Sequence, residues 1–262
     1  TGGWQSWQTV TISNLVICGG QRELRLDFRV GGQNLNYAHV TKQADLTGDF
    51  LRASGKQIVD AQGQNVVLRG MGLGNWMLQE PYMMDGSGLV DNQQQLKIKI
   101  AELVGPNNLT AFYDAWLTNS LREADVAALA AHGFNSIRLP MHYNLFTLPI
   151  EQEPVPGENT WLTTGFNLVD DLLRWCETHQ LYLILDMHGC PGGQGHDKPI
   201  ADYNPPAPSL WESAANRDKL IALWREIAGR YANRKWIGGY DLINEPNWTF
   251  ENNANLNGCA DQ

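Results

Sequence analysis

The sequence has no apolar stretch approaching the roughly 18 residues of a membrane span; its most apolar run, LYLILDM at 181–187, has the length of a buried strand. It is also poor in positive charge. Nineteen Lys and Arg face 28 Asp and Glu, a net charge of −9, so a phosphate backbone would meet a repelling field and nucleic acid is not an expected partner. Cysteine is sparse: Cys18, Cys176, Cys190 and Cys259 form no CxxC pair, which argues against a structural zinc site. No G-x-G-x-x-G turn opens a helix after a strand, so a dinucleotide site is not expected. The chain starts at Thr1 without a basic, then apolar, leader, and we expect a processed or excerpted sequence.

What is present is globular: 262 residues, 43% of them hydrophobic, enough for one large domain or two smaller ones. Ten Trp stand out, since pyranose rings stack on aromatic faces, although most Trp are core residues. Residues 1–42 alternate apolar and polar side chains between Gly turns (Gly19-Gly20, Gly31-Gly32) and read as antiparallel strands, too few to cover their own face. Residues 43–49 read as a linker. From residue 50 a hairpin through Ala61-Gln62-Gly63 leads to a strand ending in Met71-Gly72-Leu73-Gly74, whose alternating Gly70, Gly72 and Gly74 we take as close-packing positions.

Helix and strand then alternate. A capping box over Ser120–Glu123 opens a helix before FNSIRLP; Phe166, Val169, Leu172, Leu173 and Cys176 mark a helix before LYLILDMHG; Leu220, Leu223, Trp224, Ile227, Ala228 and Tyr231 mark one before WIGGYDLIN. This is the pattern of parallel strands with right-handed crossovers. Polar residues follow each strand at Asn75, His142, His188 and Asn244-Glu245, where a (β/α)8 TIM barrel carries its chemistry, and this favours the barrel over an open sheet. A whole barrel takes about 250 residues with eight strands. Four strands are legible, so residues 50–262 are expected to be the N-terminal half of a barrel.

Glu245, in Asn244-Glu245-Pro246, suits protonation of a glycosidic oxygen, or is an ordinary strand-end residue before proline. Asn244 fits either a sugar 2-hydroxyl or the turn. Arg138, inside an apolar strand, needs a carboxylate partner. His142 and His188 end neighbouring strands, where they would meet hydroxyls or position a carboxylate.

Four ordered motifs, VVLRGMGLGNW, FNSIRLPMHYNLF, LILDMHG and YDLINEPNW, resemble the first four strand motifs of glycoside hydrolase family 5. The resemblance implies a retaining glycosidase of the cellulase type: Glu245 as acid/base, Asn244 before it, Arg138 on the second strand, His188 on the third, and His142 less directly. It also implies a second glutamate about 5 Å away as nucleophile, from a seventh strand. The stretch after Glu245 is too short to supply that strand, so the polypeptide alone is expected not to turn over substrate. TGGWQSWQTVT and GGQNLNYAHV resemble the last strands of carbohydrate-binding module family 6, a jelly-roll β-sandwich, which implies sugar contacts for Trp4 and Asn34. Trp76 and Trp248, near strand ends at the catalytic face, are expected to bind substrate.

The expected substrate is a β-glucan of the cellulose type, cut by a secreted monomer that uses no metal or cofactor and contacts no membrane. Two alternatives stay open. A metal-dependent barrel hydrolase built on His142, His188, Asp186 and Glu245 would want a His-x-His pair on the first strand, which is absent. A non-catalytic carbohydrate-binding or scaffold fragment is the other. The loop CPGGQGHDKPIADYNPPAPS is expected to wall the site, with His196 and Asp197 as solvated loop residues, and a Cys190–Cys259 disulfide is compatible with an oxidising compartment.

Overall fold

The computed structural model describes residues 50–249. By backbone proximity the chain divides into Thr1–Asp45 and Leu46–Gln262, and the described residues all lie in the second unit. The expected β-sandwich, with Trp4 and Asn34, lies outside them.

A short antiparallel pair, β1 (Arg52–Ser54) and β2 (Gln57–Val59), comes first. The turn expected at Ala61-Gln62-Gly63 follows it: Asp60 Oδ1 accepts the Gln62 and Gln64 amides, Gly63 takes φ +77°, and Val59 bridges Asn65. The main sheet is parallel, in the order β3 (Gly70–Gly72), β4 (Ser136–His142), β5 (Tyr182–Gly189), β6 (Ile237–Asp241). Gly70 pairs with Ser136, Ser136 with Tyr182 and Leu183 with Ile237, so all four C-terminal ends open on one face. This order is the one expected of the first four strands of a (β/α)8 barrel.

Gly70 is a close-packing position, since a Cβ there would stand 2.7 Å from Ser136 Oγ. Gly72 and Gly74 are not: nothing lies within 4 Å of a Cβ on Gly72, and Gly74 faces only the flexible end of Met83.

Between β3 and β4 lie α1 (Gln93–Val104), α2 (Leu109–Asn119) and α3 (Glu123–Ala131). The first two occupy what reads in the sequence as a long loop. Ser120 does not open α3; its hydroxyl donates back to Trp116 O at the end of α2, and the Asp125 carboxylate instead accepts the Arg122 amide. Helix α4 (Thr163–His179) buries all five expected residues, Phe166, Val169, Leu172, Leu173 and Cys176, in the same cluster as Ile137, Leu139, Leu183 and Leu185 of β4 and β5. Each fully buried Leu there contributes about 1.5–3 kcal/mol. A single turn, α5 (Lys198–Ala201), precedes α6 (Ala214–Tyr231), whose N-terminus is capped by Ser213 Oγ accepting the Asn216 amide and which buries Leu220, Leu223, Ile227 and Tyr231. Alternate residues of β4 and β5 face opposite sides, and both sides are covered, as in a parallel sheet between helices and a barrel interior.

Candidate active site

The strand ends bring three of the expected residues, Arg138, His188 and Asn244, into one hydrogen-bonded network. Arg138 projects from the middle of β4, and its Nη2 donates to Asn244 Oδ1 (2.6 Å) and Asp241 Oδ2 (2.8 Å) and lies 3.0 Å from Asp186 Oδ2. The cation expected to need a carboxylate thus has two. Asp186, with 0% of its side chain exposed, meets His188 Nδ1 at 2.6 Å, and the other ring nitrogen of His188 meets Glu80 Oε1 at 3.1 Å.

Burial alone would push the His188 imidazolium down, but its hydrogen bonds to Asp186 and Glu80, and their charges, outweigh burial and raise it to about 9. Glu80 sits below the usual carboxylate range although burial pushes it up, because His188, Tyr82 and Arg138 pull it down. Asp186 is held up by burial against the pull of His188 and Arg138. Asn244 Nδ2 lies 3.2 Å from the ring nitrogen of His188 that meets Glu80, Nε2. The amide of Asn244 is thus held between Arg138 at its oxygen and His188 at its nitrogen.

Glu245 follows Asn244 with φ +41°, a left-handed conformation that costs a non-glycine residue about 1–2 kcal/mol, and it is exposed. Such strain at a strand end is characteristic of residues held for a task.

Glu80 is the residue that the sequence does not announce. It is 4% exposed, and its Oε2 has no hydrogen-bond partner among the described residues. Asn75, itself left-handed at φ +67°, accepts the Glu80 amide through Oδ1 and turns the carboxylate toward His188. The interaction with Glu80 pushes the Tyr82 hydroxyl up to about 12.

Three expected site residues point elsewhere. His142 accepts the Asn144 amide at Nδ1 and meets Asp202 Oδ2 at Nε2 (3.0 Å), so both its nitrogens are engaged and it ties β4 to the loop after β5 instead of joining the network. Trp76 is 5% exposed in the main core, its indole N–H on Leu117 O, and offers no face to a sugar. Trp248 is also buried, at 6%, stacked on His196 with ring centres 4.2 Å apart and edge-to-face with Tyr203. His196 is exposed in its loop, as expected, with one face of its ring on Trp248. Cys190 is buried and free, its Sγ 3.8 Å from Met187 O; Cys259 lies outside the described residues. Among the described residues no three His, Cys, Asp or Glu side chains converge as a metal site.

Residues 92–262 match the cellulase (glycosyl hydrolase family 5) family. The chain is 34% identical over 197 residues to a protein named beta-xylosidase from Phanerodontia chrysosporium, covering 75% of this chain and 39% of that one. It is 24% identical over 232 residues to a probable glucan 1,3-beta-glucosidase A from Aspergillus niger, covering 80% and 51%. The chain thus spans between two fifths and half of the length of these relatives. Among solved structures it resembles AoRut, with a TM-score of 0.52 at 18% identity over 70% of this chain and 50% of that one, a likeness of fold.

Proposed function

The chain belongs to glycosyl hydrolase family 5, and from that premise we propose that it supplies the acid/base half of a retaining site that hydrolyses β-glycosidic bonds in a polysaccharide. The observation that carries this reading is the Arg138–Asn244 bond of 2.6 Å, which fixes the amide of the residue next to Glu245. In this reading Glu245 protonates the leaving glycosidic oxygen and then, as the conjugate base, takes a proton from the water that completes the reaction. Asn244 donates to the sugar 2-hydroxyl. His188, charged below about pH 9, orients Glu80.

Retention needs a second carboxylate about 5 Å from Glu245. The proposal assigns this nucleophile to a barrel strand beyond the four described, so these four alone give no turnover. The names of the relatives, a xylosidase and a glucan glucosidase, support a β-linked polymer, and a β-glucan cut in the endoglucanase manner is the substrate we propose. A secreted protein, with Trp4 and Asn34 in an attached carbohydrate-binding module, is part of the same proposal.

The test is reducing-sugar release by the full-length protein from carboxymethyl cellulose, laminarin, mannan and xyloglucan, with Glu245→Gln alongside. Cleavage of a β-glucan that falls at least about 1,000-fold in the variant supports the reading, because a positioned acid contributes about 10²–10⁴. Binding without cleavage of any polymer would leave the non-catalytic alternative standing.

A further inference from the structure

We propose that Gln194, in the loop after β5, is a positioning residue for the acid/base: its buried side-chain amide sets the peptide that aims Glu245. The inference rests on the assignment of Glu245 as the acid/base.

Gln194 is 0% exposed, and each hydrogen bond of its side-chain amide is to backbone. Its Nε2 donates to Asn244 O at 2.9 Å and to His188 O at 2.7 Å, while its Oε1 accepts the Cys190 amide at 3.1 Å. Two carbonyls on one nitrogen and an N–H on the oxygen leave a single consistent orientation of the amide. Asn244 O belongs to the peptide that joins Asn244 to Glu245. Holding that oxygen fixes the plane about which Glu245 takes its left-handed φ of +41°, and therefore the direction of its side chain. The other bond holds the peptide after His188, so one side chain spans the ends of two neighbouring strands.

The loop is built to deliver this amide. Gly192 and Gly193 take φ +79° and +82°; a Cβ on Gly192 would stand 2.3 Å from Asn216 Nδ2 and one on Gly193 2.9 Å from Tyr203 Cα. The indole of Trp211 donates to Gln194 O at 2.8 Å. Past Gln194 the loop stays against the acid/base segment: a Cβ on Gly195 would stand 3.3 Å from Glu245 O, and the His196 amide donates to Asn247 O at 2.8 Å.

A carboxyl of nearly the same shape in Gln194→Glu loses the N–H donors and faces two carbonyl oxygens. The test measures kcat/KM of the full-length protein on two β-glucosides, a 2,4-dinitrophenyl glycoside whose leaving group needs no acid and an unactivated oligosaccharide that does. Misaimed acid lowers the ratio of unactivated to activated kcat/KM by about 10- to 100-fold, part of the 10²–10⁴ of a positioned acid. An equal fall on both substrates, or no fall, overturns the proposal. If Gln194→Glu does not fold by circular dichroism, Gly195→Ala carries the test, since its Cβ presses on Glu245 O and the same ratio must fall. Glu245→Ala run in parallel separates the two ideas: if its ratio does not fall, the acid/base assignment fails; if it falls and the ratios of the loop variants do not, only the role of Gln194 fails.

Discussion

Two of the buried charged clusters among the described residues differ in how completely their valences are filled. Away from the strand ends, Lys219 of α6 donates to Glu153, to Thr147 Oγ1 (3.2 Å) and to Asn159 Oδ1 (3.0 Å), and both oxygens of Glu153 also accept the Thr160 amide. Each partner is 3% exposed in its side chain, and none of their polar atoms is left over. At the strand ends the Arg138, Asp186, His188, Glu80 and Asn244 cluster leaves Glu80 Oε2 and Asp186 Oδ1 without partners among the described residues, with Gln79 Nε2 unpartnered beside them. An unfilled buried valence costs stability, about 1–3 kcal/mol when no other group completes it. The closed cluster is what a fold makes for itself; the open one keeps unfilled valences at the strand ends, where the proposed catalytic site lies.

The largest effect that would break this contrast is on activity. In the full-length protein Arg138→Met should lower kcat/KM by about 100-fold or more, because it frees the Asn244 amide and removes charge from a buried acid, whereas Lys219→Met should leave kcat/KM of the folded fraction within a few-fold. Equal losses would erase the distinction. On stability the order reverses in part: Lys219→Met strands Glu153 and should cost about 3–5 kcal/mol by denaturant unfolding. Next in size is the core between the clusters. Leu139→Ala, at 0% exposure on β4, should cost about 3 kcal/mol, while Tyr240→Ala, 40% exposed on β6, should stay within about 1 kcal/mol. A large cost at Tyr240 would mean that β6 is covered by chain outside the described residues.

The smallest effect is a pH dependence. His188 is raised to about 9 in the fold from an ordinary 6.5, so its contribution is full below about pH 6.5 and is lost as pH rises through 9. Unfolding free energy should fall by about 3 kcal/mol over that window, and the fall should vanish in His188→Gln. Glu153 is depressed instead, by Lys219 and Thr160 against its burial, so the closed cluster loses its contribution on the acid side. A fall at alkaline pH that persists in His188→Gln would remove His188 from the account.

The parts of this site that sequence makes legible are those tied to a periodic element. The α4 core residues follow from their spacing, and Arg138, His188, Asn244 and Glu245 follow from strand ends, because in a parallel barrel those ends share one face. Glu80 is not legible, since its position is set by a left-handed Asn75 and a loop contact. Helices α1 and α2 are missed for a related reason: Ile98 and Leu103 of α1 point outward while Ile100 is buried, so no apolar stripe marks the helix. Trp76 and His142 show the reverse failure, in which proximity to a strand end says nothing about which way a ring turns.

The central claim is that Glu245 is the acid/base of a retaining site, and azide rescue tests it most directly. In full-length Glu245→Ala acting on a dinitrophenyl β-glucoside, sodium azide should restore turnover and yield the β-glycosyl azide, because azide attacks the covalent intermediate on the face that water would use. Formation of the α-azide would make Glu245 the nucleophile, and no rescue with undiminished hydrolysis would remove it from catalysis.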